Sequence, residues 1–287
     1  MLPQWYDERK MKRIKKPADK APAHYPYALR TRFAKDIVCE FLPPAPRRNG
    51  GARRNARSRR PERGKAVILC GGMPGYPGGR IDLMNFLAEK GYWTFVPRFR
   101  GTWESGGSFL SRPPERDVID VIDGISRGFT DLWSGTAYRI ARPEIAVIGS
   151  SFGGAAAILA VRDPRVRCAV AFSPVTDWRV ETEAEPLARL AAFTRAAFGN
   201  GYRGATAAAW KKLRGGTFYN PMHEAGAIDG TKLLIIHAKD DKIVYARTSA
   251  AFARATGATL VLLPRGGHLS LSKTPALWKK IDRFLNS

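Results

Sequence analysis

No stretch of the 287 residues approaches the roughly 18–20 consecutive apolar residues that a membrane-spanning helix needs. The first twenty residues are polar and basic and lack the apolar core of a secretory signal. There are only three cysteines, Cys39, Cys70 and Cys168, without CxxC or zinc-ligand spacing. Neither a metal centre nor a disulfide framework is expected from them, and reduced, buried thiols in a cytoplasmic protein are. Internal repeats are missing too, which argues against a solenoid or propeller. The glycines between Gly71 and Gly79 do not form GxGxxG at a helix start, and no ribose-binding acid stands out, which argues against a dinucleotide cradle.

Acidic residues are scarce. The chain has 25 Asp/Glu against 48 Lys/Arg, a formal net charge of +23. Residues 1–64 hold 18 of the basic and 6 of the acidic side chains, a local excess of 12. Such a segment attracts polyanions, and a weak polyanion association through it is expected at most. No aromatic–basic interleaving or nucleic-acid-binding module accompanies the charge. The expectation for residues 1–24 is a disordered basic tail broken by Pro17 and Pro22. For residues 45–64 it is an extended Arg-rich loop.

What remains is a chain long enough for one large domain, with an ordinary 44% of hydrophobic residues. Two short alternating runs, Tyr27–Phe33 and Ile37–Leu42, predict a hairpin turning at Lys35-Asp36. Ala66–Cys70, Tyr92–Val96, Ile145–Ser150, Val166–Phe172, Lys232–His237 and Thr259–Leu263 read as strands, the first a continuous apolar run suited to burial on both faces. Helices are expected at about Arg80–Lys90, around Asp117–Ile125, from Ala155 on, at Val244–Thr256 and at Pro275–Leu285. Alternating strands and helices predict an α/β fold with a doubly wound, mostly parallel sheet. The alternation lapses over about residues 175–230, after the sixth strand of this reading. There, Pro186–Phe198 and Ala205–Lys212 look helical, as in a cap or lid. Residues 25–287 are expected to form the domain.

Within the strand–turn–helix Ile145–Ala160 lies Gly149-x-Ser151-x-Gly153, the pattern of a serine held on a sharp turn between strand and helix. Ser150 lacks glycines at both flanking offsets, so Ser151 is the candidate nucleophile. A serine needs a base, a group that orients the base, and donors for an oxyanion. His268 follows the last strand on a Gly266-Gly267 loop and is the candidate base. His237, at a strand end, is expected to hold the turn that follows. The orienting acid belongs between serine and histidine in the chain, and Asp240-Asp241 follows a strand there. Asp241 is preferred, with Asp240 capping the turn and Asp177 a weaker rival. Gly71-Gly72-Met73-Pro74-Gly75 can turn backbone N–H groups toward the serine. The Met73 and Phe152 N–H groups are the candidate oxyanion donors.

These parts resemble the serine hydrolases of the α/β-hydrolase fold. Gly72-Met73-Pro74-Gly75 is similar to their HGxPG oxyanion loop, with Gly71 where histidine is usual. Arg100-Gly101 with Ser105-Gly106 resembles their RGxGxS loop, with Trp103 where glycine is common. Ser173-Pro174-Val175-Thr176-Asp177-Trp178 and Tyr219-Asn220-Pro221 are similar to the catalytic domain of prolyl-oligopeptidase-like peptidases and esterases. The resemblance implies acyl transfer to water without cofactor or metal, from an ester, thioester or amide, through a Ser151 acyl-enzyme. The acyl substrate would be a small molecule or short peptide, with ester the favoured bond, since the chain is too short for the β-propeller of the large oligopeptidases. Trp103 and Trp178 are candidate substrate-pocket residues. The rival expectation is a catalytically silent scaffold of the same fold that binds a polyanion through its basic N-terminal region.

Overall fold

The computed structural model describes residues 24–46, 64–140 and 142–287. The basic tail and nearly all of the Arg-rich loop lie outside the described residues. Among the described residues ten strands form in chain order: β1 (Leu29–Phe33), β2 (Ile37–Leu42), β3 (Lys65–Cys70), β4 (Tyr92–Pro97), β5 (Phe129–Thr130), β6 (Ala137–Tyr138), β7 (Glu144–Ser150), β8 (Val166–Phe172), β9 (Leu233–Ala238) and β10 (Thr259–Leu263). Seven α-helices accompany them among the described residues: α1 (Ile81–Glu89), α2 (Glu115–Arg127), α3 (Ser151–Ala160), α4 (Leu187–Phe198), α5 (Ala207–Arg214), α6 (Ala246–Thr256) and α7 (Trp278–Leu285).

Eight strands join in one sheet, ordered β1-β2-β4-β3-β7-β8-β9-β10. The β1–β2 and β2–β4 pairs are antiparallel, and every pair from β4 through to β10 is parallel. The apolar runs of β3, β7 and β8 are buried along almost their whole length, because helices cover both faces. Successive side chains on a strand point to opposite faces, and the core divides accordingly. Ile68 packs with α2, α3 and α6, through Val118, Ile122, Ala156 and Phe252. Its neighbours Val67 and Leu69 pack on the other face with Leu83 and Met84 of α1 and Ile281 and Leu285 of α7.

The expected hairpin turns through Ala34 and Lys35, both at positive φ (45° and 70°), and ends at Asp36. Asp36 does more than turn the chain: its carboxylate takes the Nε–H of Arg100 at 2.8 Å. The same guanidinium also reaches Asp117 and Asp120. Arg100-Gly101 thereby ties the loop after β4 to the hairpin and to the start of α2. The short β5–β6 ribbon, two residues per strand, was not expected from sequence. Its Phe129 and Tyr138 rings close an aromatic cluster with Phe41 and Trp93. Because of that ribbon, the strand preceding the helical segment is the eighth in chain order, although it is the expected one, Val166–Phe172.

All three cysteines are free and buried. Burial raises each thiol pKa, that of Cys70 to about 12, so the thiolate forms that would react or bind metal are disfavoured. No helix among the described residues is long and apolar enough to cross a membrane.

The order of the central strands decides where a site can form. From β3 the chain crosses to β4 on one side, and it later returns to β7 on the other. The loops leaving the C-terminal ends of β3 and β7 therefore diverge around a crevice, the usual place for a ligand in an open parallel sheet.

Candidate active site

Ser151 sits at that crevice, at the first position of α3, directly after β7. Its φ is +53°, the left-handed region that a β-carbon makes costly. Glycines allow the turn. A Cβ on Gly149 would stand 2.1 Å from the Gly153 carbonyl oxygen, and one on Gly153 would stand 2.3 Å from the Cys70 carbonyl oxygen. Helix and strand thus touch backbone to backbone. The following chain adds a strap, with the Val175 N–H donating to the Ser151 carbonyl at 3.2 Å.

The loop after β3 meets the serine from the other side. The Cβ position of Gly72 is 3.2 Å from Ser151 Cβ, which puts Met73 beside the nucleophile candidate. The Met73 N–H makes no backbone hydrogen bond among the described residues. Met73, Ser151 and Phe152 line one cavity that is open to solvent and also lined by Trp178. The loop is held from the 175–230 segment and from the loop after β4. Tyr202 Oη accepts the Gly75 N–H at 2.8 Å, and Trp103 Nε1 donates to the Gly75 carbonyl at 3.1 Å. Arg80 fills the space that the missing Gly71 side chain leaves: one of its guanidinium nitrogens lies 2.5 Å from where a Cβ would be.

His268 and Asp241 come together after β10 and β9. His268 Nδ1 lies 2.9 Å from Asp241 Oδ2, so Nδ1–H donates to the carboxylate and the neutral ring keeps its acceptor lone pair on Nε2. Asp241 has two further sources of donors. The Ile243 and Val244 N–H groups donate to Oδ1 at 2.9 and 3.0 Å. His237 Nε2 faces Asp241 Oδ2 at 3.1 Å and the Val244 carbonyl at 3.0 Å. Facing two acceptors, that nitrogen carries the proton, and Nδ1 meets the Ser249 hydroxyl at 2.8 Å. Burial alone would raise the Asp241 pKa. Hydrogen bonds from His237, His268 and Val244 outweigh it and hold the carboxyl well below the usual carboxylate range.

The sign of that shift gives a stability prediction. A depressed native pKa stabilises the fold fully above the unfolded value of about 3.9, and the contribution is lost as pH falls toward the lower native one. Urea midpoints at pH 5 and pH 3 are expected to differ less for Asp241→Asn than for the wild type.

Asp240 points elsewhere. Its side chain is exposed and accepts the Gly267 N–H at 2.9 Å, so it braces the His268 loop. Asp177 is engaged by Arg179 at 2.9 and 2.8 Å and by Asn220 at 3.1 Å. Among the described residues the side-chain hydrogen bond of His268 is the one to Asp241, and none joins it to Ser151. Of the two tryptophans, Trp178 lines the cavity beside Ser151. Trp103 lies along a neighbouring cleft with Gly71, Gly72 and Arg80, on the far side of Met73.

Three residues make contacts at the site that were not expected from sequence. His237 was expected only to hold a turn, yet it hydrogen-bonds Asp241; the spacing of four between them was the available signal. Tyr219 donates its hydroxyl to the Phe152 carbonyl at 2.6 Å, and its own carbonyl takes the Trp178 Nε1–H at 2.8 Å. Tyr202 braces the loop after β3 from 127 residues away, and nothing local marks it.

An α/β sheet that carries a serine on a strained elbow, a carboxylate-bound histidine and a glycine loop against the serine defines the serine hydrolases of the α/β-hydrolase fold. Residues 82–284 match the model of the prolyl oligopeptidase family, and the chain belongs to that family. Solved structures similar to it include an esterase of Pyrococcus furiosus, with a TM-score of 0.59 and 17% identity, covering 90% of each chain. The acylaminoacyl peptidase of Pyrococcus horikoshii also gives a TM-score of 0.59, at 16% identity, over 96% of this chain but only 43% of the peptidase. A lidless serine hydrolase of Xanthomonas campestris gives 0.53 at 14% identity, covering 93% of this chain and 97% of its own. No curated protein matches the chain.

Proposed function

We propose that the chain hydrolyses small acyl esters through a covalent Ser151 intermediate. Ser151 Oγ attacks the acyl carbon while His268 Nε2 takes its proton, and the carbonyl oxygen becomes an oxyanion held by the Met73 and Phe152 N–H groups. Collapse expels the alcohol, which takes the proton from His268. Water then attacks the acyl-enzyme with His268 again as base, which releases the acid and restores Ser151. Asp241 keeps His268 in the Nδ1–H form and stabilises the imidazolium.

The observation that carries this reading is the 2.9 Å bond between Asp241 Oδ2 and His268 Nδ1, in a molecule whose Ser151 stands at φ +53°. The match over nearly the full length of an esterase, against less than half of an acylaminoacyl peptidase, supports ester over peptide. Residues 25–287 act as the hydrolase unit, with residues 175–230 forming the wall of the pocket through Trp178. Trp103 acts on the substrate side only through the loop it holds.

The test is labelling by a fluorophosphonate, which forms a stable bond only with an activated serine. The wild type is expected to label and Ser151→Ala is not. An unlabelled wild type, or equal labelling of the variant, ends this reading.

A further inference from the structure

The cavity beside Ser151 has a charge opposite to that of the molecule. In a chain of net charge +23, every charged side chain lining it is acidic: Asp177, Glu181 and Glu185. Two of the three are already engaged. Asp177 is held by Arg179, and Glu181 takes Arg214 at 2.7 Å and the Leu187 N–H at 3.1 Å. Glu185 differs. Its carboxylate has no ion-pair or hydrogen-bond partner among the described residues, although only its backbone N–H is tied down, to Thr182 Oγ1 at 3.1 Å.

Glu185 is half-buried, and burial raises its carboxyl pKa. The nearby Asp241 pushes in the same direction, while His268 opposes. A lone carboxylate partly withdrawn from water is costly unless a cation or donor meets it. The rest of the wall is apolar, with Val175, Trp178, Leu187, Leu190 and Ile243. An aliphatic stem ending in a positive charge satisfies both surfaces at once, because its methylenes lie along the apolar wall while its head reaches the carboxylate. Neither a plain alkyl group nor an acid does so.

Resting on the proposed Ser151 chemistry, we infer that Glu185 is a specificity-determining residue that selects acyl groups bearing a lysine- or arginine-like side chain. It acts on the side chain of the substrate and takes no part in bond making.

The test compares two irreversible diphenyl phosphonates that react at the active serine. One carries a lysine side chain. The other carries an n-pentyl side chain, in which methyl replaces the ammonium. In the wild type the lysine reagent is expected to inactivate at least about tenfold faster, the range of a hydrogen bond between charged partners. In Glu185→Gln the ratio of the two rates is expected to fall toward one. Because the ratio is internal to each variant, a loss of folded protein cannot imitate that fall. A wild-type ratio of one or below, or a ratio that Glu185→Gln leaves unchanged, overturns the assignment. A fluorophosphonate without a side chain separates the two levels. If it fails to label the wild type, the Ser151 reading itself is wrong. If it labels while the phosphonates are not distinguished, only the role of Glu185 falls.

Discussion

Replacing Asp241 with asparagine is expected to lower kcat for an activated ester by about 10⁴-fold, the order lost when a triad acid becomes an amide. The physical reason lies in the donors around it. Asp241 Oδ2 receives the ring N–H of His268 at 2.9 Å and that of His237 at 3.1 Å, while Oδ1 receives two backbone N–H groups. An asparagine oxygen can serve one of these sets, but its NH₂ would then face donors on the other. If the oxygen stays with the backbone N–H groups, the NH₂ turns His268 into the tautomer with the proton on Nε2, where the proposed base needs a lone pair. Asp240→Asn is the control. Its carboxylate accepts the backbone Gly267 N–H, which an amide oxygen also accepts, so a change of less than about tenfold in kcat is expected. Initial rates on a p-nitrophenyl ester decide. Equal, mild effects of the two substitutions would mean that the acid is misassigned.

The contrast between these neighbouring aspartates also shows how much of the molecule is legible in its sequence. The strand run Val166–Phe172 coincides with β8, because an apolar run bounded by turn residues reports burial directly, and Thr259–Leu263 coincides with the partly exposed edge strand β10. Helix starts are less well marked. α7 begins at Trp278 rather than Pro275, since residues 271–273 first make a separate 3₁₀ turn. The candidates Ser151, Asp241 and His268 could be named from sequence because each follows its own strand, and a parallel sheet delivers its strand ends to one edge. Contacts made across the fold carry no such mark. The reach of Tyr202 to Gly75 depends on how the 175–230 segment folds back, and so does the difference between Trp178 at the cavity and Trp103 behind Met73. That the Glu185 carboxylate has no partner among the described residues becomes visible only once Arg179 and Arg214 are seen to occupy its neighbours.

Gly153→Ala is expected to damage fold and site together. One methyl group is added, but it would stand 2.3 Å from the Cys70 carbonyl oxygen and 2.4 Å from the Gly71 carbonyl oxygen. Both neighbours are backbone, so no side-chain rotation relieves the overlap, and α3 must move away from the end of β3. Overpacking of this kind costs about 3 kcal/mol or more, which for a domain of this size lowers Tm by at least about 5 °C. The displaced pieces are Ser151 on one side and the Gly71–Gly75 loop on the other. Their spacing sets the distance from the nucleophile to the proposed Met73 donor, and a shift of about 1 Å at such a site can cost 10²-fold in rate. The folded fraction of the variant is therefore expected to be both less stable and slower. Gly226→Ala supplies the comparison, because nothing lies within 4 Å of its Cβ position and its Tm is expected to stay within about 2 °C of the wild type. Calorimetry with active-site titration separates the two losses. A Gly153→Ala protein that melts and turns over like the wild type would show that the helix and strand are not in the backbone contact on which the elbow depends.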